Sequence, residues 1–247
     1  MGVLDGKGAV VTGGSRGIGR AIVERLARDG ASVVFNYATS AEAAAEVEQA
    51  VREAGGQAFG LQADLREPDA VDRLMAHTIE HLDGLDVLVH GAALDAPPAP
   101  IAETDVDAWD EAMTVNARSA FLLTRQAART MRDGGRIVHI STLNTTRPAP
   151  GNAPYAASKG AIEQLARVAA LELGPRQITV NAVCPGATDT DLLRHANPEA
   201  ALVQVAAMTP LGRLGLPGDI ADAVAMLAGP DGGWITGQIS NATGGLA

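Results

Sequence analysis

The sequence of 247 residues predicts an α/β fold in which one parallel sheet is wrapped by helices, and three observations carry that prediction. Short runs rich in Val and Ile alternate with longer amphipathic stretches from one end to the other, as buried strands alternate with crossover helices. A glycine-rich turn stands at the first strand-to-helix junction. No polar linker, composition shift or internal repeat interrupts the series, so the chain reads as a single domain over 1–247.

The first strand spans 8–12, and the glycine turn after it opens a helix that runs to about residue 29, where Gly30 stops it. A second strand at 31–37 precedes a helix at 40–54, with Ser40 to cap it and Gly55 and Gly56 to end it. The third strand is 57–63, the next helix 68–82 with Pro68 in its first turn, and the fourth strand the apolar run 85–90. Three prolines mark 94–101 as a loop, after which 106–116 and 117–131 read as helices ended by Gly134 and Gly135. A strand at 136–141, a long helix at 155–173 and a strand at 178–184 follow. The segment 185–217 is irregular with short helices, 219–228 is helical, and 237–241 is the seventh strand.

Composition narrows the function. With 19 Lys and Arg against 29 Asp and Glu, the net charge of −10 argues against a nucleic-acid partner. No apolar run has the length of about 18 residues that a membrane helix requires. The first nine residues carry Asp5 and Lys7 and lack the layout of a signal peptide, and the single Cys184 has no partner for an internal disulfide, so a cytoplasmic protein is expected. Among only two Tyr and two Lys, Tyr155 and Lys159 stand four residues apart. Chance would produce such a pair in about one shuffled sequence in sixty.

Thr12-Gly13-Gly14-Ser15-Arg16-Gly17-Ile18-Gly19 lies between a strand and a helix, where glycines let backbone N–H groups approach a pyrophosphate at the positive helix end. A plain tight turn is the competing reading. The second strand ends Phe35-Asn36-Tyr37, without the carboxylate that selects the ribose hydroxyls of NAD. Arg16 is available to pair with a 2′-phosphate, which favours NADPH, unless it is only a solvated surface cation. Asp64, before Leu65, either accepts from an adenine amino group or serves as a helix-entry residue. Tyr155 and Lys159 share a helix face, so an ammonium stands near a phenol whose ordinary pKa of about 10 is too high for proton exchange at neutral pH.

On these residues the chain resembles the short-chain dehydrogenase/reductase family over essentially its whole length, and is most similar to the 3-oxoacyl-carrier-protein reductase and hydroxynaphthalene-reductase-like members. The glycine loop is similar to the family's TGxxxGxG, Tyr155 to Lys159 to its YxxxK, Val115-Asn116-Ala117 to its asparagine segment and Asn181 to Gly186 to its NxxxPG. The resemblance implies a Rossmann fold, a doubly wound sheet of seven parallel strands flanked by helices. It also implies hydride transfer between a nicotinamide and a small-molecule carbonyl substrate. Tyr155 would be the general acid, Lys159 would lower its pKa and hold the nicotinamide ribose, and Asn116 would anchor the water that reloads the proton. The implied nucleotide site comprises Gly13, Ser15, Arg16, Gly17, Ile18 and Gly19, Asn36 and Tyr37, Asp64 and Leu65, Gly91 and Ala92, Pro185, Gly186, Thr188 and Thr190, with Tyr155 and Lys159. A homotetramer and a substrate lid over about 187–210 follow from the same resemblance.

Two departures stand out. His90-Gly91-Ala92-Ala93 replaces the family's Asn-Asn-Ala-Gly, and Thr142, preceded by Ser141, replaces its serine thirteen positions before the tyrosine. Alternation along a strand lets one of the two hydroxyls reach the substrate, and the spacing selects Thr142, although a bulge would turn Ser141 inward instead. His90 reads as a buried structural residue. The other four histidines, His77, His81, His139 and His195, suggest no metal-ligand spacing, and no nucleophile triad surrounds Cys184. The expected activity is NADPH-dependent reduction of a ketone on an acyl, polyketide-like or small alicyclic scaffold. The alternatives are a nucleotide-binding subunit without turnover, or an alcohol dehydrogenase or imine reductase on the same fold.

Overall fold

The computed structural model describes residues 2–95 and 97–246; Met1, Ala247 and Ala96, which falls in the loop expected at 94–101, lie outside the described residues. In chain order the elements are β1 (Gly8–Thr12), α1 (Gly17–Arg28), β2 (Ser32–Tyr37), α2 (Ala41–Glu53), β3 (Gln57–Gln62), α3 (Ala70–His81), β4 (Leu85–His90), α4 (Val106–Ala112), α5 (Ser119–Thr130), β5 (Met131–Ile140), α6 (Ala153–Leu173), β6 (Thr179–Pro185), α7 (Asp191–Ala196), α8 (Glu199–Met208), α9 (Pro217–Ala228) and β7 (Ile239–Ala242). Together the strands build one parallel seven-stranded sheet in the order β3-β2-β1-β4-β5-β6-β7, a Rossmann arrangement.

Because side chains alternate across a strand, each strand feeds two cores. Val11, Val33 and Phe35 pack with Ile22 and Leu26 of α1, Val47 of α2 and Val224 of α9 on one face. Val10, Val34, Leu88 and Ile137 pack with Leu74 of α3, Leu123 of α5 and Ala166 of α6 on the other. The order reverses between β1 and β4, and their carboxyl ends open the crevice in which ligands of such sheets bind.

Several boundaries differ from the sequence reading, among them that of α3, which begins at Ala70 and leaves Pro68 outside its first turn, and that of β7, which runs from Ile239 to Ala242. The two helices expected over 106–131 are joined by a π turn, Met113–Arg118, that carries the buried Asn116. Gly134 and Gly135 lie inside β5, where the register shifts between Leu85 and Val87; Met131 already pairs with Leu85. Both α6 and α9 start two residues early, each with a proline in its first turn, where the missing N–H is harmless.

Candidate active site

The glycine loop is a cradle with little room for side chains. Gly13 and Gly17 take φ of +71° and +54°, where L side chains are strained. A Cβ on Gly13 would stand 2.9 Å from the Ala92 Cα, and one on Gly17 would stand 3.4 Å from the Thr190 Cγ2. The loop, the end of β4 and the start of α7 thus meet across one cleft. Thr12 Oγ1 ties the wall together by accepting from the N–H groups of Gly91 and Ala92, each at 3.1 Å. Ser15 and Gly19 are buried, and Ile18 packs partly against the core. No side chain caps the N-terminus of α1 and no acid stands in its first turn, so its positive end is open to an anion. Arg16, at that terminus, is exposed and makes no side-chain bond among the described residues. These features fit a pyrophosphate-bearing nucleotide.

Asn36 does not face that cleft as the sequence reading supposes. Its Oδ1 accepts from Gly13 N at 3.1 Å and its Nδ2 donates to Ala63 O at 2.7 Å, so the buried amide clamps the base of the loop. Tyr37 ends β2, half-buried against the core. Asp64 is no helix-entry residue, since α3 begins at Ala70. Arg66 chelates its carboxylate, from Nε at 2.9 Å and Nη2 at 2.5 Å, and these bonds hold its pKa below the usual carboxylate range. The Leu65 side chain is buried in the core. Beyond β6, which ends at Pro185, Gly186 N donates to Ala242 O at 3.0 Å and the buried Thr188 hydroxyl donates to Gly186 O at 3.0 Å. Thr190 caps α7, accepting from Leu193 N at 3.3 Å.

Thr142 and Tyr155 come together at the end of β5. The Thr142 hydroxyl faces the Tyr155 phenol, whereas Ser141 points the other way and donates to Glu163 Oε1 at 2.7 Å. Burial pushes Tyr155 up to about 12, with the charge of Asp95 adding to the rise and the Thr142 hydroxyl opposing it. Lys159, expected from the sequence to lower that pKa, lies over the Tyr155 ring. Its ammonium lies 5.7 Å from the ring centroid and donates to Ile140 O at 2.7 Å, and burial lowers its own pKa to about 8.

Asn116 reaches the site through neighbours. Its Oδ1 accepts from Leu94 N at 2.7 Å, and its Nδ2 donates to Leu94 O at 2.9 Å and to Ser158 Oγ at 2.9 Å. Ser158 Oγ in turn donates to Tyr155 O at 2.8 Å. The side chain therefore braces the loop after β4 against the first turn of α6. The π turn displaces the carbonyl ladder around it.

His90 is buried, with Nε2 2.8 Å from Ser119 Oγ. Ser119 donates its own proton to Val115 O at 2.5 Å, so the imidazole carries its proton on Nε2. It binds α5 rather than a neighbouring strand; Thr12 supplies the strand tie instead. His139, paired with His90 in the sheet, is buried as well, and burial and the Lys159 charge lower it to about 4.

A cleft of about 340 Å³ opens beside Thr142 and is walled by Leu143, Pro148, Ala187, Leu193, Val205, Met208 and Leu246. Two titratable groups here escape the sequence reading. Glu163 is buried and also accepts from Cys184 Sγ at 3.5 Å; the repeat of four linking Tyr155, Lys159 and Glu163 on α6 was the available signal. Asp95 acts on both Tyr155 and Lys159 by its charge, and nothing in its local sequence marks it. The sequence reading of the histidines is also corrected: His77 and His81 lie one turn apart on α3, and with Glu80 they bring ligand atoms within 4.8 Å of one another.

The family model described as enoyl-(acyl carrier protein) reductase matches residues 13–247. Versicolorin reductase stcU of Emericella nidulans is 40% identical, over 98% of this chain and 96% of its own. The solved short-chain dehydrogenase/reductase of Serratia marcescens is 43% identical with a TM-score of 0.93, covering 98% of both chains. Angucycline C-6 ketoreductase LanV, solved with bound NADP, is 41% identical with a TM-score of 0.93, over 99% of this chain and 97% of that one.

Proposed function

The chain belongs to the short-chain dehydrogenase/reductase family of oxidoreductases, and from that premise we propose that it is an NADPH-dependent ketoreductase acting on a ketone of a polyketide-like ring scaffold. One observation carries the reading: the hydroxyl of Thr142, which lines a largely apolar cleft, faces the phenol of Tyr155 closely enough to oppose the rise of its pKa. The cleft has the volume range of small-molecule sites. Versicolorin reductase and LanV, similar along their whole lengths, support the substrate class.

When bound, the reduced nicotinamide supplies the hydride; the protein's residues hold the nucleotide and manage the proton. Gly13, Ser15, Gly17, Ile18 and Gly19 would line the pyrophosphate, Arg16 would pair with the 2′-phosphate, and Tyr37, Asp64, Leu65, Gly91, Ala92, Pro185, Gly186, Thr188 and Thr190 would form the remaining walls. Thr142 donates to the ketone oxygen and fixes it against Tyr155, which gives its proton as negative charge develops there. A phenol raised to about 12 stays protonated at neutral pH, the form that reduction needs. Alcohol oxidation would start instead from the phenolate. Lys159 holds positive charge beneath the ring, and Asn116 positions the loop after β4.

The reading takes 1–247 as one nucleotide-binding domain with a lid at about 187–210, in a cytoplasmic homotetramer. Phe121 on α5 and Val168 and Leu171 on α6 stand exposed and offer an apolar surface for assembly. The test is NADPH oxidation against a panel of bicyclic aromatic and aliphatic ketones. The expected outcome is turnover of the ring ketones with kcat/KM roughly ten- to a hundredfold higher for NADPH than for NADH, the worth of a charge-assisted bond to Arg16. Tyr155→Phe should bind NADPH and turn nothing over. Equal use of NADH, or an active Tyr155→Phe, sinks the reading.

A further inference from the structure

Far from the cleft, α3 carries the sequence His77-Thr78-Ile79-Glu80-His81. Residues three and four apart share a helix face, and an H-x-x-E-H spacing is one by which a helix presents two imidazoles to a metal with a carboxylate beside them. Ligand atoms of His77, Glu80 and His81 lie within 4.8 Å of one another. The last residue of α3 is His81, and a crossover helix runs antiparallel to the strands. The cluster therefore stands at the amino edge of the sheet, opposite the nucleotide cleft.

The protonation pattern suits a ligand set. His81 Nδ1 is 3.0 Å from the His77 carbonyl oxygen. To bond that acceptor it carries the proton, which leaves the lone pair on Nε2; metal-binding imidazoles are commonly held this way, by their other N–H. His77 Nδ1 stands 3.8 Å from Glu80 Oε2, too far for a hydrogen bond, and its Nε2 is buried without a partner among the described residues. The two rings lie 4.1 Å apart, and Phe59 of β3 packs on His81 at 4.6 Å and steadies it.

We propose that His77, Glu80 and His81 bind a first-row divalent transition-metal ion of the Zn²⁺ or Ni²⁺ class, at a site independent of hydride transfer. Two imidazole nitrogens select such ions over Mg²⁺ and Ca²⁺, which take oxygen ligands, and one carboxylate completes a three-ligand set with a position left for water. Bonds of about 2.0–2.2 Å require the clustered atoms to close on the ion. Glu80 is 70% exposed and free to swing, and His81 ends its helix.

The experiment titrates ZnCl2 by calorimetry into the chelator-stripped full chain, with Co²⁺ as a spectroscopic substitute. One equivalent should bind, Co²⁺ should give visible d–d absorption, and Tm should rise with Zn²⁺. Both His81→Ala and Glu80→Gln should weaken binding roughly tenfold or more. His195→Ala removes an exposed histidine outside the cluster and should leave Zn²⁺ binding unchanged. If His81→Ala fails to fold, the exposed Glu80→Gln decides. Absent binding in the parent chain, binding unchanged in Glu80→Gln, or binding lost in His195→Ala overturns the proposal.

Discussion

Thr142 and Ser141 are neighbours that face opposite ways, one toward the phenol of Tyr155 and the other bonded to the buried Glu163. Removing the first should therefore act on rate and removing the second on stability. Thr142→Ala is expected to lower kcat by more than tenfold, as loss of an oxyanion-type donor does, while Thr142→Ser keeps the rate. Ser141→Ala should leave kcat near that of the parent but lower stability by about 1–3 kcal/mol, since it strips a donor from a buried carboxylate. Steady-state kinetics and Tm on the same three variants check both halves. His139 carries a pH prediction. Its folded pKa of about 4 lies below the ordinary 6.5, so the unfolded chain takes up the proton first. The stability it contributes is whole above pH 6.5 and is lost as the pH falls toward 4, by about 3 kcal/mol for a shift of this size. Denaturant melts from pH 7 to 4 should show that loss, and His139→Leu should flatten it.

At the scale of elements, the strands and crossover helices are legible in the sequence because each is decided locally, by a run of Val and Ile or by an apolar stripe ended by glycine. The π turn is not, because its cause is distant. Asn116 is held by the backbone of Leu94, 22 positions away, and by Ser158 on another helix. Asn36 misleads for the same reason: its place at the end of β2 suggests a ribose contact, while Gly13 and Ala63 claim its amide. Asn36→Asp would set a carboxylate against the Ala63 carbonyl and test the loop rather than cofactor choice. The glycine loop and the pair Tyr155 and Lys159 were readable from spacing alone, though the resting geometry of Lys159 was not. Asn116→Ala should leave the N–H and C=O of Leu94 without their partner and cost about 1–3 kcal/mol of stability, read as a drop in Tm. Asn116→Asp keeps one acceptor and places negative charge against the Leu94 oxygen, so its Tm should also fall.

At the scale of the molecule, every strand pairs in parallel and none with a hairpin neighbour, so each contact in the sheet spans a crossover. Val10 sits between Val34 and Leu88, and the two cores close only when both ends of that span have arrived. Such sheets form slowly, since long loops must be ordered before the contacts reward it. The edge at β3 is partly blunted by Glu48, which accepts from Gly60 N at 2.6 Å. The buried thiol of β6 turns this architecture into a clock. Cys184 is 1% exposed and its pKa is raised to about 11, chiefly by burial, so a thiol reagent meets neither an open path nor a thiolate while the sheet is closed. The chain has no other cysteine, and every labelling event therefore counts one opening of the sheet around β6. NADPH at a hundred times its Kd should slow that clock roughly a hundredfold if the opening disrupts the cleft. A labelling rate indifferent to the nucleotide would mean that the sheet breathes at β6 while the cleft stays whole.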